Sequence, residues 1–124
     1  DRLVPTNVIT SSGNATPAVI AYGSTYSTGQ INVTLVNTSG SPESVEIKTK
    51  NFNTGNRFYW YSLEGSDDNG QFSRKVLVNG NGPTGIAGGP SNYASIKAKS
   101  ALTSSGIKVS VPAWGSVCMM IDKK

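Results

Sequence analysis

Apolar and polar residues alternate in one segment after another, the period-two pattern of strands with one face buried. Ile31, Val33 and Leu35 alternate with Asn32, Thr34 and Val36, and Val45 and Ile47 alternate with Glu46 and Lys48. Ser39-Gly40-Ser41-Pro42 separates these two segments and predicts a hairpin between them. Ile107, Val109 and Val111 alternate with Lys108 and Ser110; after Pro112, Val117, Met119 and Ile121 share one face of a last strand. Residues 57–63 read as an aromatic strand, 72–78 as another, 93–98 as a short one, 18–22 as a strand and 1–10 as an edge strand. Asn79-Gly80-Asn81-Gly82-Pro83 opens a loop over 79–90 that holds five glycines. No 3.6-residue pattern of useful length occurs. About eight short strands without crossover helices predict an all-β, antiparallel β-sandwich of jelly-roll or immunoglobulin-like type, with a partly closed barrel as the alternative. Neither a repeat nor a linker divides the chain, so residues 1–124 form one domain.

Composition agrees. The 124 residues include 17 Ser, 11 Thr and 11 Asn, but only five Leu and three Glu, against what a helical bundle needs. The chain has no His, which excludes imidazole triads, imidazole metal sites and a His proton switch. The single Cys118 can form neither an internal disulfide nor a multi-thiolate site, and reads as an inert thiol. No apolar run approaches a membrane span. No charged-then-apolar leader precedes Asp1, so a mature fragment or excised domain is expected. The net charge of +4 comes from basic residues scattered along the chain, not gathered in the stripe that nucleic acid requires. Neither nucleic acid nor a membrane is expected as a partner.

Candidate chemistry centres on Arg57-Phe58-Tyr59-Trp60-Tyr61-Ser62-Leu63. Successive strand side chains face opposite sides, so four consecutive aromatics cannot all point inward. Leu63 continues the Tyr59 and Tyr61 face, and Ser62 the other. Tyr59, Tyr61 and Leu63 are therefore expected inside, with Phe58 and Trp60 outside unless another strand or the glycine-rich loop covers them. An exposed aromatic plane matches the C–H face of a sugar ring, and nearby amides and carboxylates match its hydroxyls. Trp114, between Pro112 and Gly115, either caps the end of the core or stands out as a second platform. Tyr93, beside Asn92, is a third candidate, equally readable as a loop anchor; Tyr22 and Tyr26 share that ambiguity. Phe52 and Phe72 read as core or loop-packing residues.

The acidic residues cluster once, at Glu64-Gly65-Ser66-Asp67-Asp68-Asn69-Gly70. Asp67 and Asp68 do not make the separated carboxylate pair of a glycosidase. Asp67, Asp68 and Asn69 could supply some ligands to a structural calcium ion, though the spacing is not that of a twelve-residue calcium loop. The motif also reads as plain turn chemistry. Asn14-Ala15-Thr16, Asn32-Val33-Thr34 and Asn37-Thr38-Ser39 match the glycosylation pattern, one that arises by chance in so Asn- and Thr-rich a chain.

Three stretches carry a resemblance: NRFYWYSLEGSDDNGQFSRKVLVNG from Asn56, then GGPSNYASIKAKS, then IKVSVPAWGSVCMMIDKK. Together they resemble the terminal β-sandwich of secreted bacterial glycoside hydrolases, a small all-β domain that follows a (β/α)-barrel. Free-standing versions act as carbohydrate-binding modules on β-glucans or hemicelluloses. The resemblance implies a secreted, extracellular, non-catalytic domain that tethers a linked glycoside hydrolase to cellulose, mixed-linkage glucan or xyloglucan. From the residues, Trp60, Trp114, Tyr93 and Phe58 are the expected stacking platforms. Asp67, Asp68, Asn69, Arg74 and Asn92 are the expected hydroxyl contacts. Beyond a structural calcium no cofactor is expected, and the chain is expected to be a monomer. The alternative is a structural accessory sandwich that packs on the barrel and binds no sugar.

Overall fold

A computed structural model describes residues 2–5, 17–67 and 70–124. Nine strands run through them: β1 (Arg2–Val4), β2 (Val19–Thr25), β3 (Ile31–Asn37), β4 (Glu43–Ile47), β5 (Thr54–Gly65), β6 (Val76–Val78), β7 (Lys99–Leu102), β8 (Ile107–Val111) and β9 (Ser116–Lys123). The large sheet has the order β1-β2-β3-β9-β5-β6, with β7 also paired to β5; β4 and β8 form a two-stranded second sheet. All these pairings are antiparallel. The fold is the expected all-β sandwich.

The alternation places the core. Val33 and Leu35 of β3, Ile107, Val109 and Val111 of β8, and Val117, Met119 and Ile121 of β9 meet between the sheets with Val19 and Phe58. Full burial of each such side chain contributes about 1.5–3 kcal/mol. Phe52 packs against this cluster, as expected.

The face assignment of β5 is reversed. Phe58 pairs with Ile121, Trp60 with Met119 and Ser62 with Val117, so β9 fixes which β5 residues point inward. Phe58 is 1% exposed. Trp60 packs on the core and stacks on Phe58, with ring centroids 5.2 Å apart and planes 21° apart. Tyr59, Tyr61 and Leu63 take the outer face. Leu63 misled because apolar residues are not obliged to be inside. The inner Ser62 is accommodated by its hydroxyl, 3.3 Å from Asn79 Oδ1.

Three further expectations change. β3 and β4 do not form a hairpin: they belong to different sheets, and β4 pairs with β8. The strand expected over 72–78 is confined to Val76–Val78, leaving Arg74 and Lys75 in the preceding loop. Residues Tyr93–Ser95 form a short 3-10 helix, and the strand begins only at Lys99. Of the edge strand over 1–10, β1 is described, and residues 1 and 6–10 lie outside the described residues.

The chain crosses between sheets at Asn37, the only polar side chain in the core among the described residues. Its Nδ2 donates to the carbonyls of Ser41 (2.7 Å), Pro112 (3.1 Å) and Val111 (3.3 Å). Its Oδ1 accepts from the Ser39 N–H and hydroxyl, each at 2.9 Å. The amide is thus committed within the fold, which removes Asn37-Thr38-Ser39 as a glycosylation site in the folded chain.

Asn37→Ala leaves buried carbonyls without a donor and should lower stability by about 3 kcal/mol in urea titrations. Asn37→Asp turns a carboxylate oxygen onto the same carbonyls, so its folded pKa is raised. The stability of that variant should be greatest in acid and fall as pH rises through the raised value.

Candidate functional site

Two surfaces bring candidate chemistry together. The first is the end of the sandwich where β5, β8 and β3 finish and β9 begins. There the β8–β9 turn holds Trp114 at φ 51°, in the left-handed region that a bulky side chain rarely adopts. The Trp114 N–H donates to Ser39 O and the Gly115 N–H to Pro112 O, each at 3.0 Å. Gly115 is required: a Cβ there would come within 2.6 Å of Leu63 O. Ala113 and Gly115 are buried, whereas Trp114 is 38% exposed.

The β5–β6 loop meets this turn. Its Gly70 lies so close that a Cβ there would be 3.0 Å from Ala113 O and 3.7 Å from Trp114 Cβ. Ser73 organises the loop: its hydroxyl accepts from the N–H groups of Ser66 (3.1 Å) and Asp67 (3.2 Å) and donates to Lys75 O (2.7 Å). Asp67 is exposed, as is Phe72, at 77%. Phe72 is thus not the packing residue expected; the flanking serines and glycines give no periodicity from which its direction could be read. Asp68 and Asn69 lie outside the described residues, and with them most of the expected calcium ligands. Among the described residues, no three His, Cys, Asp or Glu side chains gather to hold a metal ion.

The remaining candidates sit elsewhere. Arg74 is exposed beside the β6 edge, its carbonyl accepting from the Gly88 N–H at 2.8 Å. Tyr93 and Asn92 are exposed in the β6–β7 connection, where the Asn92 carbonyl accepts from Ser95 N–H and Oγ. Among the described residues, no hydrogen bond or ring stacking joins Tyr93 or Asn92 to Trp114. Phe58 is buried and Trp60 is half-buried against the core on the inner face, so both are withdrawn as platforms.

The second surface was not anticipated. On the outer face of the large sheet, register places Tyr22, Thr34, Cys118 and Tyr61 in one row across β2, β3, β9 and β5. The flanking rows are Ser24–Asn32–Met120–Tyr59 and Ile20–Val36–Ser116–Leu63. None of these twelve residues is charged. Tyr22 is 58% exposed, and Ile20, Tyr61 and Cys118 are also exposed. The outward face of the second sheet differs: there Glu46 opposes Lys108 and Ser44 opposes Ser110, all exposed. The patch is uncharged, but the wide face as a whole is not: Arg57, two residues before Tyr59 on β5 and bonded to Ser100 at 3.3 Å, and Asp122, two residues after Met120 on β9, lie on the same side at its margin.

No protein-family model and no curated protein matches the sequence. Solved structures do. CelM2, a bifunctional glucanase-xylanase from a metagenome library, matches at 14% identity with a TM-score of 0.57, over 86% of this chain and 16% of its own. The arabinose-bound α-L-arabinofuranosidase MgGH51 matches at 12% identity and TM-score 0.57, over 94% of this chain and 16% of its own. The likeness is one of fold. The chain spans about one sixth of each of these proteins.

The two tryptophans should part on substitution. Trp60→Ala opens the core beside Phe58 and should cost about 3 kcal/mol. Trp114→Ala should cost less than about 1 kcal/mol. Trp114→Gly, released from the left-handed penalty, should be more stable than Trp114→Ala by about 1 kcal/mol. Chemical denaturation of the three variants checks the order.

Proposed function

We propose that the chain is a non-catalytic accessory β-sandwich of a secreted glycoside hydrolase, and that it docks on a neighbouring catalytic domain through the outer face of its large sheet. The uncharged twelve-residue patch carries the proposal. A solvated sheet face alternates charged and polar residues, as β4 and β8 do, whereas a patch free of charge and bearing Ile, Val, Leu, Met and Tyr, with Arg57 and Asp122 at its margin, suits burial against another protein surface. The enzyme context is supported by the resemblance of the sequence and by a fold shared with about one sixth of a glucanase-xylanase and of an α-L-arabinofuranosidase. The absence of His from the sequence speaks against imidazole-based catalysis. Sugar binding by a β5 platform loses its support with Phe58 and Trp60 turned inward. Trp114 and Phe72 keep saccharide binding in view as a second activity.

Thr34→Lys sets a charge in the centre of the patch without touching the core. In the isolated chain it should change stability by less than about 0.5 kcal/mol. In the chain linked to its catalytic domain it should lower the melting temperature by several degrees and raise hydrogen exchange across β3 and β9. Equal, small effects in both contexts would overturn the docking face. Release of reducing sugar from β-glucan, xylan or arabinan by the isolated chain would overturn the non-catalytic role.

A further inference from the structure

We propose that the free flank of β4 is a strand-addition site: an extended segment of a partner protein pairs with it, widens the two-stranded sheet, and sets apolar side chains over the core and a basic one beside Glu46.

The two layers of the sandwich are unequal, with seven strands in one and two in the other. The narrow layer leaves the rim of the core incompletely covered: Val45 and Ile47 of β4 are half-buried, as are Ala21, Ile31 and Trp60 of the large sheet. Within the small sheet the deficit is one-sided. Ile107, Val109 and Val111 of β8 are buried, whereas Ile47, Val45 and Glu43 opposite them on β4 are not. A strand added beyond β4 therefore buries apolar surface that one added beyond β8 does not.

A strand offers N–H and C=O groups to both of its flanks. β8 takes one flank of β4, and among the described residues no main-chain hydrogen bond reaches the other. The β8 ladder already holds β4 extended, so an incoming strand meets a formed template. Five residues make a short ladder, and contacts with Val45 and Ile47 supplement it. β8 displays the side-chain pattern that β4 accepts: Ile107 and Val109 inward, Ser110 opposite Ser44 and Lys108 opposite Glu46. Opposite charges across a strand pair are favourable, so the partner carries Lys or Arg beside Glu46. A second copy of β4 fits less well: antiparallel pairing about Val45 would put Ser44 against Glu46 and the two Glu46 carboxylates on one diagonal.

The probe is a synthetic peptide copying residues 105–112, capped at both ends. Two further forms are N-methylated at the positions copying Lys108 and Val109. Adjacent residues of a strand point their N–H groups to opposite edges, so only one of these methyl groups falls in the seam. The 15N-labelled chain is titrated to about 5 mM peptide, which reveals a Kd of order 1 mM. Amide signals of residues 43–47 should shift saturably while those of β2 and β3 stay in place. Hydrogen exchange should slow about fivefold at the β4 amides that do not face β8. Glu46→Gln should weaken binding about twofold to fivefold. One methylated peptide should bind like the parent and the other should not bind. No shift up to about 5 mM, shifts centred on the large sheet, or equal binding by both methylated forms would overturn the site. So would β4 signals that move with the concentration of the chain alone, which would give the flank to a second copy. The site lies on the small sheet, so its failure leaves the docking face untouched, and Thr34→Lys should not alter the titration.

Discussion

The two sheets are tied together at one end by the carboxamide of Asn37. A strand that leaves one layer and enters the other exposes backbone groups at the corner, and these must find partners away from water. Asn37 supplies both polarities at once: donors to the carbonyls that end β8 and to the turn before β4, and an acceptor for Ser39. The same turn offers Ser39 O to the Trp114 N–H, so the geometry of the β8–β9 turn depends on the corner as well. Much of what distinguishes this end of the molecule follows from one buried side chain.

From that end β9 runs between β3 and β5 and dictates what each neighbour shows. Val117, Met119 and Ile121 face the second sheet; Leu35 and Val33 must then do so on one side, and Ser62, Trp60 and Phe58 on the other. This dependence explains which parts of the fold were legible in the sequence. The strands of β3, β8 and β9 declare their own inner faces by alternation, and the core they form was readable residue by residue. β5 carries large apolar side chains on both faces, so its alternation is uninformative and a single Leu-against-Ser comparison gave the wrong parity. The supposed β3–β4 hairpin failed for a different reason. A Ser-Gly-Ser-Pro turn records that the chain changes direction, not whether it stays in its sheet.

The surfaces were legible to different degrees. Trp114 could be singled out because Pro and Gly bracket it, yet whether it capped the core or faced water depended on the φ of one residue and the crowding of the next. Phe72 gave no such signal. The uncharged patch on the outer face was invisible, since Tyr22, Thr34, Cys118 and Tyr61 are distant in the chain and only register makes them neighbours.

The far side of β5 carries one more consequence. Both β6 and β7 pair along the same flank of this twelve-residue strand, β6 at Leu63–Gly65 and β7 at Arg57–Trp60. Asn79 fills the interval: its N–H donates to Ser62 O, its Oδ1 accepts the Ser62 N–H, and its Nδ2 reaches Lys97 O. A long strand with an open flank is a template on which another chain can add itself. Here the sheet is instead finished by two fragments of three and four residues with an amide between them. Neither fragment presents enough continuous backbone to recruit an intruding strand, so the long β5 is kept from seeding fibrous assembly even when many copies are crowded together.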